Sequence, residues 1–312
     1  LDTKILEIKS KEIGFDLFGI TNAVIPSKDK NNFIDFVDKG YYGSMKWFPV
    51  HQSIRLDFSN LGFMPVSAIC LGVLYNSINY KSTLGKFKFK ISRYASGKDY
   101  HKVLRIMGKK VISYLKDLYP QNNFRQSVDT LPISEKVLSA NAGLGWIGKN
   151  TNLISTDKGS YFFLSVILTD SNLTPTNIGI DRCGKCTKCI DACPTNALFE
   201  PYKINASLCI SHATIEEKED HIPEHISSNL KGWVYGCDIC QEVCPWNIKA
   251  EKNNKYSKIN DFEPLDLFRK DENYILNISE NEFDLLKKES AISRITYKQW
   301  KRNIENFIKY DT

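Results

Sequence analysis

Residues 183–194 read CGKCTKCIDACP and residues 237–245 read CDICQEVCP. In the first run Cys183, Cys186 and Cys189 precede Cys193-Pro194, the spacing C-x2-C-x2-C-x3-C-P. Three close thiolates of that pattern grip one iron–sulfur cubane, and the fourth ligates a second one. The later run supplies Cys237, Cys240 and Cys244-Pro245, with Val243 where a middle cysteine is expected. Two cysteines remain to fill the gap. Cys209 lies between the runs, whereas Cys70 sits in an apolar stretch where a small buried thiol is the ordinary occupant. One [4Fe–4S] cluster is therefore expected on Cys183, Cys186, Cys189 and Cys244, and a second on Cys193, Cys209, Cys237 and Cys240. The alternative is a pair of four-cysteine zinc sites, but those usually present paired C-x2-C units without a third close cysteine.

The rest of the composition narrows the class. The 312 residues can hold two or three compact units, and 42% hydrophobic residues suffice for a substantial core. A formal charge of +6 is mild: it neither demands nor repels a polyanionic partner. Eight of the nine cysteines fall between Cys183 and Cys244, which points to metal ligation in a reducing compartment, the cytoplasm, rather than to disulfides. The first twenty residues are charged throughout and no apolar stretch reaches membrane-spanning length, so neither an export signal nor a membrane partner is expected. The chain opens at Leu1 rather than at a methionine, and a few native residues are expected to precede it.

Periodicity divides the chain into 1–171, 172–249 and 250–312. In the first part VSAICLGVL (66–74) and YFFLSVIL (161–168) read as buried strands. Between them Leu104, Met107, Val111, Leu115 and Leu118 recur at helical spacing, opposite a basic face. The second part consists of short cysteine-bearing segments. The last is polar and ends in a helix whose stripe is Trp300, Ile304, Phe307 and Ile308, beside Lys298, Lys301, Arg302 and Lys309. Those four cations are candidates for phosphate contacts, with a solvated helix face as the plainer reading.

Two motifs invite a cofactor and fail on context. GLGWIG (143–148) satisfies G-x-G-x-x-G, but a dinucleotide fingerprint follows a strand and opens a helix. Here SEKVLSANA before it reads as a helix, with Ser134 as N-cap and Gly143 as its stop, and TNLIS after it reads as a strand. Asp99-Tyr100-His101 begins the D-x-H-x-x-G pattern of cobalt-ligating histidines, but Leu104 replaces the glycine.

Taken together, RYASGKDYHKVL (93–104), DTLPISEKVLSANAGLGWIGKN (129–150), CGKCTKCIDACPTNAL (183–198), CIS (209–211) and GCDICQEVCPWN (236–247) resemble the epoxyqueuosine reductase family in order and spacing. The resemblance implies an α+β fold. An N-terminal α/β corrinoid-binding domain related to that of reductive dehalogenases precedes a two-cluster ferredoxin-like domain and a short helical tail. It implies an oxidoreductase that uses cobalamin and two [4Fe–4S] clusters to reduce epoxyqueuosine at the tRNA wobble position to queuosine. Asp129 is then the proton donor. Arg55, Asp99, Tyr100, His101, the loop residues Gly143, Gly145, Trp146, Gly148, Lys149 and Asn150, and Ser211, His212 and Asp238 line the corrinoid. The expected partners are the anticodon stem-loop of the tRNA and an external reductant such as flavodoxin or ferredoxin, with the protein itself a monomer. The rival readings are a reductive dehalogenase-like corrinoid enzyme and a cobalamin-free ferredoxin-type electron carrier.

Overall fold

The computed structural model describes residues 3–311. Its centre is a four-stranded antiparallel sheet in the spatial order Leu17–Asn22, Ser67–Leu74, Phe162–Thr169, Phe124–Ser127. The two apolar runs are its central pair, and all eight residues of Ser67–Leu74 are buried. A period of two sends Ile69, Leu71 and Val73 to one face and Ala68, Cys70 and Leu74 to the other. The first face is covered by helix Tyr100–Leu118 through Leu104, Met107, Val111 and Leu115, joined by Leu6 of helix Thr3–Ile13. The second is covered by Leu138 of helix Glu135–Asn141, with Ala142 and Leu144 behind it. A strand enclosed on both sides reads as a continuous apolar run instead of an alternating one. Helices packed on an antiparallel sheet make this an α+β protein, as expected.

Two local devices aim the functional residues. The Asp99 carboxylate accepts the backbone N–H of His101 and caps helix Tyr100–Leu118, which fixes Tyr100 and His101 in its first turn. Gly143, at φ +83°, stops helix Glu135–Asn141, and the chain then forms a two-residue hairpin of Trp146–Ile147 against Leu153–Ile154. The G-x-G-x-x-G stretch thus follows a helix and opens a hairpin. A Cβ on Gly145 would lie 2.0 Å from the carbonyl oxygen of Ile154, so this glycine serves close backbone packing. Ser134 stands at the helix start, yet its hydroxyl makes no cap and reaches the carbonyl of Arg55 at 3.5 Å instead.

In the cysteine-rich part the short helices Lys188–Asp191 and Ile239–Glu242, one from each cysteine run, pack against each other. The C-terminal segment does not stand apart. Phe283, Trp300, Ile304 and Phe307 share one core with Tyr80, Phe89, Ile91, Val234 and Tyr235, and Lys90–Ile91 pairs in parallel with Trp233–Tyr235. Within helix Tyr297–Asp311 the expected surface role of Arg302 is corrected. Its guanidinium is buried and donates to the carbonyls of Ala213, Glu217 and Glu219 and to Asn303 Oδ1. Ile308 is 52% exposed, because the turn of the helix carries it past the edge of the stripe.

Candidate active site and cluster ligands

The Cys183 set surrounds a cavity of about 250 Å³ that is lined by Cys183, Cys186, Cys189 and Cys244 together with Lys149 and Trp246. Four thiols around one cavity fit a multi-iron cluster. Trp146 Nε1 donates to Cys183 Sγ at 3.3 Å, and Lys149 Nζ donates to the carbonyls of Gly184 and Cys186 at 2.7 and 3.0 Å. Donors to a ligand sulfur and to its loop hold the loop shape and favour added electron density on the cluster.

The second set is assembled from distant parts of the chain. Cys240 lies in the field of Cys209 and Cys193, and Cys237 in that of Cys240 and Cys209. Cys209 therefore stands with Cys193, Cys237 and Cys240, while Cys70 is enclosed in the sheet and burial pushes its thiol up to about 12. Burial also raises the Cys209, Cys237 and Cys240 thiols, so the positive charge of bound iron is what would make them thiolates. Cys240 is also in the field of Cys189, which puts the two sets side by side.

Asp238, between two ligands of the second set, is fully buried. It accepts from Ser92 Oγ at 2.5 Å, from the Arg93 backbone N–H at 2.8 Å and from Arg93 Nη1 at 3.3 Å. Arg93 lies over the rings of Tyr80 and Tyr161 at 4.7 and 4.8 Å and also pairs with Glu242 at 2.9 Å. The Asp238 side-chain oxygens are spent inside the protein. The same holds for the side chains of Trp146, Lys149 and Asn150, which are 3%, 9% and 3% exposed. They brace the cysteine loops, Asn150 Nδ2 through the Cys240 carbonyl at 3.3 Å. Gly145 and Gly148 are buried as well. His212 is turned inward as well. Its Nε2 accepts the Ser44 N–H at 3.1 Å, which puts the ring proton on Nδ1, and burial lowers its pKa. It fastens the 43–44 turn to the helix that follows Cys209, while Ser211 beside it is half-buried.

A different group meets at the first turn of helix Tyr100–Leu118. Tyr100 Oη donates to Asp129 Oδ2 at 3.0 Å, and His101 Nε2 lies 3.9 Å from the same oxygen. His101 Nδ1 is 2.7 Å from Asp99 Oδ1. A carboxylate there holds the ring proton on Nδ1 and leaves Nε2 toward Asp129. Asp99, although partly buried, is kept below the usual carboxylate range by its bonds from His101. Asp129 has φ +55°, and its backbone N–H donates to Glu135 Oε1 at 2.9 Å, an oxygen that also accepts from Ser127 Oγ at 2.5 Å. Burial, then the charge of Asp129, pushes Glu135 up to about 7. Arg55 lies over Phe48 at 4.6 Å and Trp47 at 5.9 Å, close enough to feel Asp129 and Glu135, and its Nε is buried with no partner among the described residues. Arg294, clamped by two 2.9 Å bonds to Glu216, lies 5.7 Å from the Trp47 ring and also feels Asp129.

The structure thus brings Arg55, Asp99, Tyr100, His101 and Asp129 together, while the side chains of Trp146, Lys149, Asn150, His212 and Asp238 are buried. Sequence reading missed Arg93, Trp47, Glu135 and Arg294 as members of these sites. Arg93 and Glu135 stand inside the motif stretches, and that position was the available signal.

Fold and site define a class: an iron–sulfur protein with two clusters held against an α+β domain that presents an acid, a histidine and a tyrosine on one side. The family model "4Fe-4S double cluster binding domain" matches residues 182–247, and "Epoxyqueuosine reductase QueG, DUF1730" matches residues 55–130. An epoxyqueuosine reductase of Gloeobacter violaceus is 36% identical over 300 residues, which covers 96% of this chain and 93% of that one. The chain belongs to the epoxyqueuosine reductase family. It also resembles a crystal structure of an epoxyqueuosine reductase with a tRNA-Tyr epoxyqueuosine-modified stem loop, with TM-score 0.84, 28% identity and coverage of 98% of this chain and 80% of that one. A Bacillus subtilis epoxyqueuosine reductase whose aspartate catalytic loop is swung out of the active site superimposes with TM-score 0.85, 28% identity and coverage of 98% and 81%.

Proposed function

We propose that this chain reduces epoxyqueuosine in the anticodon loop of tRNA to queuosine, with electrons relayed through two [4Fe–4S] clusters to cobalamin. The observation that carries the reading is the meeting of Asp129, Tyr100 and His101 on a chain of this family that also gathers eight cysteines into two tetrads. The overall change consumes two electrons and two protons: both carbon–oxygen bonds of the epoxide break, an alkene forms and water leaves. Bound cobalamin supplies the reducing centre for the epoxide carbon. Arg55 fits such a guest, because its buried, unpartnered Nε faces no protein acceptor among the described residues and suits a corrin amide or phosphate.

Asp129 delivers the proton to the epoxide oxygen. Its side chain is 71% exposed, so the desolvation that an acidic donor needs at neutral pH comes from the cofactor and nucleoside that cover it. Tyr100, whose hydroxyl is raised by burial, holds Asp129 Oδ2, and His101 beside it exchanges protons with solvent while Asp99 keeps its orientation. Clusters pass electrons singly, and the two adjacent tetrads form the path. Lys136 feels both Asp129 and Cys240, which supports the Cys240 set as the inner cluster and the Cys183 set as the outer one. An external flavodoxin- or ferredoxin-like reductant supplies the electrons, in the cytoplasm; among the described residues no helix is long and apolar enough to cross a membrane.

The test is anaerobic loading with iron, sulfide and cobalamin, then reduction and nucleoside analysis of an epoxyqueuosine-bearing stem-loop. Queuosine is expected from the native chain, and at least hundredfold less from Asp129→Asn with its cofactors retained. Near-normal turnover by that variant would place the donor elsewhere.

A further inference from the structure

The cavity of the Cys183 set is ringed by positive charge that the reaction at Asp129 does not use. Arg182 lines it, Lys185 and Lys188 alternate with its cysteine ligands along the loop, and Lys249 lies 5.2 Å from the ring of Trp246 in its wall. All four cations are exposed, and none is in an ion pair among the described residues. The neighbouring acids are committed locally: Asp181 accepts from Tyr202 Oη and the Cys183 N–H, Asp191 from Thr187 Oγ1, and Glu200 pairs with Lys203. Near these cations in the sequence are Ile178, Ile180 and Ile248, at 71%, 70% and 40% exposed. Ile180 is two residues from Arg182, and Ile248 adjoins Lys249. Exposed isoleucines cost solubility, and unpaired cations of one sign repel one another, so the patch is arranged for something outside this chain.

We propose that this surface docks an acidic one-electron carrier protein, which passes its electron into the cluster held by Cys183, Cys186, Cys189 and Cys244. The proposal rests on the reading that this tetrad carries a cluster and is the outer of the two. Charge complementarity selects the occupant. A carrier must approach the cluster closely, leave after one electron and return, which calls for a small interface with strong steering rather than a large apolar one. Exposed isoleucines interspersed in sequence with unpaired cations have that composition. RNA would also be attracted by the cations, but this mouth opens on the Cys183 set, whereas the nucleoside-facing group lies with Asp129 on the side of the Cys240 set.

The loaded protein is reduced anaerobically in a stopped-flow instrument by the hydroquinone of an acidic flavodoxin and, separately, by the methyl viologen radical cation. Cluster bleaching is followed at low and high salt. With flavodoxin, the native rate should fall steeply as salt rises, and the Lys185→Glu/Lys188→Glu/Lys249→Glu variant should be at least tenfold slower with little salt dependence. With the viologen cation, the variant should be as fast as the native protein or faster. Should the triple variant fail to hold iron, Lys185→Gln/Lys249→Gln takes its place, with a several-fold loss expected for flavodoxin alone. A flavodoxin rate untouched by these substitutions overturns the proposal, as does an equal loss with both reductants, which would make the lysines supports of the cluster. If neither reductant bleaches a cluster in the native protein, the cluster reading itself fails. Titration with stem-loop RNA that blocks flavodoxin reduction would assign the patch to nucleic acid instead.

Discussion

The Arg93–Asp238 pair beside the second tetrad allows a quantitative test of how that site is held. Arg93 is 5% exposed and Asp238 fully buried, and their charges meet through a 3.3 Å contact while the Asp238 carboxylate also accepts from Ser92 and from the Arg93 backbone. Arg93→Met keeps the length and the packing between the rings of Tyr80 and Tyr161, but leaves a buried carboxylate without its cation. Such a break costs about 3–5 kcal/mol. Unfolding entropy of about 2 cal/mol/K per residue over 312 residues converts that into a melting point lower by roughly 5–8 °C. The Glu242 partner is 40% exposed and recovers its hydration, so it adds little to the cost. Asp238→Asn introduced together with Arg93→Met removes the stranded charge and should restore more than half of the loss, because a neutral pair of similar volume is often no worse than the ion pair it replaces. Thermal unfolding of the anaerobic loaded protein, followed by tryptophan fluorescence and by the cluster absorption, reads both variants. A single variant within 1 °C of native, or a double variant less stable than the single, would refute the view that the buried charge of Asp238 is held by Arg93.

Cys209→Ser should lower bound iron from about eight to about four atoms per chain, since each cubane carries four irons and only the second set loses a ligand; Cys70→Ser should leave iron content unchanged, and iron analysis after anaerobic reconstitution decides. Glu135, pushed up to about 7 by burial and by Asp129, binds its proton more tightly in the folded chain than in the unfolded one. Its stabilising contribution is therefore full below the ordinary carboxylate range near 4.5 and is lost as pH rises through about 7. Between pH 5 and 7 the native protein should lose stability with rising pH at up to one proton's slope more than Glu135→Gln, measured by denaturant unfolding; parallel curves would show that Glu135 titrates elsewhere.

What the sequence makes legible is whatever depends on local spacing. The two buried strands and helix Tyr100–Leu118 follow from runs and periods of single-residue character, and the expected cluster ligands from cysteine intervals, with Cys209 added by elimination. The residues that were misplaced share a different property, namely partners far along the chain. Arg93 finds Asp238 at a separation of 145 residues, His212 finds Ser44 at 168, and Arg302 finds Glu217 at 85. A lysine and a tryptophan next to glycines look equally suited to a flat ligand or to a cluster loop; only the fold shows that Lys149 and Trp146 face Cys186 and Cys183. The charge pattern of the last helix misled for the same reason, because an arginine buried against backbone carbonyls is indistinguishable by spacing from one in water.

The positions of these misplaced residues carry their own argument about electron flow. The loop 143–150 reaches both cysteine runs, with Trp146 on Cys183 and Asn150 on the carbonyl of Cys240. It continues from the helix whose first residue, Glu135, holds the backbone of Asp129. One short stretch, 129–150, therefore connects Asp129, the Cys240 loop and the Cys183 loop through consecutive elements braced by hydrogen bonds. A braced link of that kind suits the proposed relay, because it ties the two cysteine loops to the segment that carries Asp129. That is what a relay of single electrons into a two-electron reduction requires, since the first electron must wait in place for the second.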